Sequence, residues 1–70
     1  MEYEEKRTAI LEAIASGAAY TAGKTIRVQH NPARWRGFYN AAFVSCNGLS
    51  QVVPLGMLNA AIQKGKRHST

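Results

Sequence analysis

Beyond Glu12 this chain has no aspartate or glutamate, and its 70 residues include one cysteine, two prolines and one tryptophan. Each shortage removes a class of explanation. With every acid confined to the first twelve residues, the body of the chain supplies no carboxylate pair for acid–base work and no acid to hold magnesium. A lone Cys46 excludes an internal disulfide, and His30 and His68 are too few and too distant to complete a metal site with it. No positioned base accompanies that thiol, so nucleophilic catalysis is not expected either. The longest stretch without a charge, 37–63, is broken by Asn40, Asn47, Gly48 and Pro54 and does not read as a membrane span. The opening Met-Glu-Tyr-Glu-Glu has the wrong sign for a secretory leader. With a single thiol, this makes a reducing, cytoplasmic setting the expectation.

What is present is a one-signed charge. The net charge is +5, yet residues 1–12 hold all four acids (Glu2, Glu4, Glu5, Glu12) against Lys6 and Arg7. Everything after them carries only cations: Lys24, Arg27, Arg34, Arg36, Lys64, Lys66 and Arg67. Soluble surfaces usually intersperse both signs, so this asymmetry predicts a polyanionic partner, either nucleic acid or an acidic protein surface.

Seventy residues make one domain, taken here as 1–65 with a basic tail at 66–70. Eleven alanines bury little area, and a core this small gives roughly 3–5 kcal/mol without a staple. A homodimer is therefore expected as a possible remedy.

The periodicity changes twice. Over 3–16, Tyr3, Ile10, Leu11 and Ile14 recur at helical spacing, the stem of Arg7 fills the gap, and Gly17 suits the position after the helix. Residues 18–23 read as a connection. Over 25–30, Ile26, Val28 and His30 alternate with Arg27 and Gln29, predicting a strand with the first set inward. Asn31-Pro32 ends it. Residues 38–46 read as a second strand, Asn47-Gly48 as a type I′ hairpin turn, and 49–53 as a third strand. Pro54 then opens a helix whose apolar positions are Leu55, Leu58, Ala61 and Ile62, with Gly65 as its cap. The fold class is α+β, in the order helix, three-stranded antiparallel meander, helix.

Two motifs compete for function. Ala18-Ala-Tyr-Thr-Ala-Gly23-Lys24-Thr25 fits a relaxed phosphate-loop pattern, but that mechanism needs a strand before the loop and a helix after it. Here the order is reversed, and Gly23-Lys24-Thr25 reads as a turn opening a strand. The stronger signal is Arg34-Trp35-Arg36, expected at the connection between two strands. Guanidinium groups grip phosphates bidentately and an indole offers a base a stacking face. The same tryptophan would also serve as a lid on a thin core, and the two roles are compatible.

The element order resembles the double-stranded-RNA-binding domain in length and topology, and Phe43-Val-Ser-Cys-Asn-Gly48 resembles that family's second-strand hairpin. The resemblance implies RNA contact. The paired lysines that open the family's second helix are replaced by Pro54-Leu55-Gly56-Met57, which removes its main phosphate clamp. The expectation is a non-enzymatic nucleic-acid-binding module without cofactor or metal. Its contacts would be Lys24, Arg27, Arg34, Trp35 and Arg36, supplemented by Lys66 and Arg67. The alternative is a protein-interaction module or inhibitor, such as a phage-encoded regulator, docking on an acidic surface with the same residues as hot spots.

Overall fold

The computed structural model of the chain describes residues 2–30 and 37–68. Helix α1 (Tyr3–Ala15) leads into strands β1 (Thr21–His30), β2 (Gly37–Cys46) and β3 (Leu49–Pro54), followed by helix α2 (Leu55–His68). The strands form one antiparallel sheet in the order β1-β2-β3. Both helices pack on one face of β2 and β3 and against each other, so the architecture is the expected α+β sandwich of two layers.

Local chemistry fixes the turns. Glu4 and Glu5 occupy the first turn of α1, at the positive end of its dipole. At the other end Gly17 takes φ +95°. Its amide donates to the Ile14 carbonyl at 2.9 Å, and the Ala18 amide donates to Ala13 at 3.0 Å. That pair of bonds is a Schellman motif, which turns the chain and satisfies two helix-end carbonyls. Asn47 and Gly48 both have positive φ, 51° and 79°, as a type I′ turn requires, and Cys46 pairs with Leu49 across it.

The core lies between the sheet and the helices. Ile10 and Ile14 of α1 meet Ala42, Val44 and Cys46 of β2, Val53 of β3, and Leu58 and Ala61 of α2. The Cys46 thiol is buried as a small apolar group, with Sγ 3.4 Å from the Ala19 carbonyl. Two contacts close the open end of α1: the Tyr3 hydroxyl donates to the Val52 carbonyl at 3.1 Å, and Arg7 lies 5.4 Å from the Tyr3 ring.

Four expectations need correction. Strand β1 begins at Thr21, so part of the supposed connection 18–23 is strand, and the phosphate-loop-like Gly23-Lys24-Thr25 runs inside it. Ala22 pairs with Val44 and Thr25 with Ala42, so three β1 steps oppose two on β2 and a bulge falls at Gly23-Lys24. Pro54 closes β3 rather than opening α2; β3 is an edge strand, where a missing amide is tolerated.

Ile26 and Val28 do not face the core. They share a side with Ala41 and Tyr39, whereas the helices cover the side of Ala42, Val44 and Val53. Lastly, Gly65 is no cap and 66–70 is not wholly a tail, because α2 continues through Gly65 to His68. Gly65 is buried where the helices touch, and a Cβ there would overlap the Ile14 carbonyl oxygen. Only glycine allows that approach.

Candidate nucleic-acid interface

Strand β3 ends at Pro54, opposite Ala41, while β2 extends back to Gly37. Past that level the sheet has only two strands: Arg27 pairs with Asn40, Val28 with Tyr39, Gln29 with Phe38 and His30 with Gly37. At about 3.3 Å per residue this arm is roughly 13 Å long. Among the described residues neither helix packs against β1. The elongated outline, 41 × 24 × 22 Å, fits a body with a projecting arm.

Register sets what each face of the arm displays. Arg27, Gln29, Phe38 and Asn40 lie on the helix side of the sheet but beyond the helices, and all four are exposed. The Arg27 guanidinium carbon sits 4.5 Å from the centroid of Phe38, which is 55% exposed. Such a stack contributes about 0.5–1 kcal/mol at an exposed site. It also holds the guanidinium in one place before a ligand arrives, which lowers the ordering cost of binding.

Lys24 sits in the bulge farther along the same edge and is exposed. A bulge and two cations are devices that discourage a second strand from adding to an edge, so β1 is better suited to side-chain than to backbone recognition.

The other sequence-derived cations are distributed unevenly. Lys66 lines a small concavity with Tyr20, Gly65 and Ile62, placing the end of α2 beside the residue that precedes β1. Arg27 lies seven residues on from Tyr20, roughly 20 Å away along an extended strand. Lys66, Lys24 and Arg27 therefore follow the β1 side of the molecule in sequence rather than forming one cluster. Arg67 belongs to the same last turn of α2 as Lys66. Arg34, Trp35 and Arg36 fall in 31–36, outside the described residues, between the paired strand ends His30 and Gly37.

The acids lie elsewhere. Glu4, Glu5 and Glu12, with Thr8 and Ala9, line an open concavity of 420 Å³ on the outer side of α1. Among the described residues no group of three His, Cys, Asp or Glu could hold a metal ion, and no helix is long and apolar enough to cross a membrane.

Phe38 has no sequence signal of its own as a contact residue. What places it is cross-strand register, since Arg27 and Phe38 are diagonal neighbours across the β1–β2 pair. Comparison with known protein families, with curated proteins and with solved structures yields no match, so the likeness to the double-stranded-RNA-binding domain rests on element order and the hairpin alone.

Proposed function

We propose that the chain is a non-catalytic nucleic-acid-binding module whose arm and free β1 edge carry the contact. The observation behind this reading is the Arg27–Phe38 stack on the arm, with Lys24 exposed on the same strand and no carboxylate in any of the three strands. A stacked guanidinium keeps its edge donors for phosphate while an exposed ring is available to a base. Arg34, Trp35 and Arg36 extend the same proposal, with Lys66 and Arg67 supplementary. Catalysis, metal and cofactor form no part of it, and the cytoplasmic setting expected from the lone thiol belongs to the same reading.

Titration against single strands and duplexes over a range of salt concentrations tests this directly. Changing both Arg34 and Arg36 to alanine should weaken binding and flatten the salt slope by about one to two units. Trp35→Ala should cost roughly 1–3 kcal/mol where a base stacks on the indole. Unchanged affinity and salt dependence in a folded double variant would remove the arginines from the interface.

The second reading is a protein-interaction module or inhibitor. It draws on the exposure of Phe38, Phe43 and Ile26 near cations, a mixture typical of protein hot spots. No nucleic-acid binding near physiological salt, together with copurification of an acidic protein, would favour it.

A further inference from the structure

The sheet face turned away from the helices has no charged side chain among the paired residues that define it. Ala41 lies at its centre and is fully buried although no helix covers it, because Ile26, Tyr39, Phe43 and Pro54 surround it. Phe43 is 53% exposed and Ile26 44% exposed, while Tyr39 and Val52 are half-buried. Ser45 and Ser50, joined at 2.8 Å, close the hairpin end. This is a continuous apolar and aromatic surface in open solvent, of a kind that marks an interaction site.

We infer that this face is a stacking platform for the bases of a single-stranded polynucleotide, whose phosphates run along the β1 edge. The inference rests on the nucleic-acid reading above and adds the class of ligand. A single strand has two unlike sides, unpaired aromatic bases and a line of negative charge. The molecule has the matching pair: Phe43, Tyr39 and Ile26 on the face, and at its β1 border Lys24, exposed in the bulge opposite Phe43, with Arg27 on the helix side of the same edge strand. Every acid lies on or beside α1, which packs against the opposite side of the sheet, so no carboxylate opposes the strand. A duplex hides its bases and would engage only the cations of β1.

A second copy of the chain is the competing occupant, and size and charge oppose it. Three strands about 4.8 Å apart and six residues long present on the order of 300 Å². A stable interface uses about 800 Å² from each partner. Two copies, each carrying +5, would also repel.

The test compares a dye-labelled oligothymidine strand with a mixed-sequence duplex, using the full chain, Phe43→Thr and a Lys24→Gln/Arg27→Gln double variant. Threonine preserves strand propensity at an exposed position, and circular dichroism confirms the fold of each variant. The single strand should bind tighter than the duplex. Phe43→Thr should weaken the single strand about five- to hundredfold with its salt slope unchanged and leave the duplex unaffected. The double variant should weaken both and flatten both slopes.

Equal binding of strand and duplex, indifferent to Phe43→Thr, would overturn the platform and leave the nucleic-acid reading standing. Absence of binding to either probe near physiological salt would overturn both. A concentration-dependent doubling of mass abolished by Phe43→Thr, without strand binding, would give the face to a second copy.

Discussion

Ile10→Ala should lower the unfolding free energy by about 2–4 kcal/mol and leave much of the chain unfolded in plain buffer. Ile10 is completely buried at the junction of α1, β2, β3 and α2, and alanine would leave a cavity bounded by Ile14, Val44, Val53 and Leu58. Two of the neighbours that would have to collapse into it, Ala42 and Ala61, have only a methyl group to offer. A domain of this length holds only roughly 3–5 kcal/mol, so one truncation removes most of its margin. Urea unfolding followed by circular dichroism measures the effect. Ile26→Ala, on the open face, is the contrast and should cost under about 1 kcal/mol. Comparable losses at the two positions would show that the core has been placed on the wrong side of the sheet.

Gly65→Val should destabilise the fold by about 3 kcal/mol, and Gly65→Ala by a smaller amount of the same sign. Alanine in place of glycine ordinarily strengthens a helix interior by about 1 kcal/mol. At Gly65 that gain is outweighed, because the added carbon meets the Ile14 carbonyl, with the Gly17 amide nitrogen also close, and backbone cannot swing aside as a side chain can. Gly56, exposed in the same helix, supplies the control, since a methyl group there would have nothing within 4 Å. Gly56→Ala should stabilise by up to about 1 kcal/mol. Thermal melts of the pair decide the matter: shifts in the same direction would refute the close helix–helix approach.

The parts of this fold legible in the sequence are those encoded by neighbouring residues. Gly17 after a helical stripe, Asn47-Gly48 between alternating runs, and Leu58, Ala61 and Ile62 at helical spacing each carry their signal within a few positions. Long-range pairing decides the rest. Thr21 becomes strand because Ser45 pairs with it, which the small residues of 18–23 do not announce. Alternation in 25–30 separates Ile26 and Val28 from Arg27 and Gln29, but it does not say which side the helices will cover. That choice follows from β2 and β3, where Ala42, Val44 and Val53 face the helices and put Arg27 on their side of the sheet.

Gly65 is ambiguous for a different reason, since glycine serves equally as a helix stop and as a point of close approach. The continuing stripe Leu58, Ala61, Gly65 holds the better clue. At the candidate interface, Arg27 and Lys24 can be picked out by charge alone. The stack on Phe38 depends on register and cannot.

Among the described elements β1 packs against β2 alone, and none of its residues belongs to the core of Ile10, Ile14, Val44 and Leu58. Folding and recognition then draw on different residues, and amide exchange along β1 should be the faster for it. A lineage carrying this chain could alter Lys24, Arg27 or the exposed residues of the arm and sample new ligands without endangering the domain that presents them. The same separation makes β1 the natural place to begin a library of altered specificities.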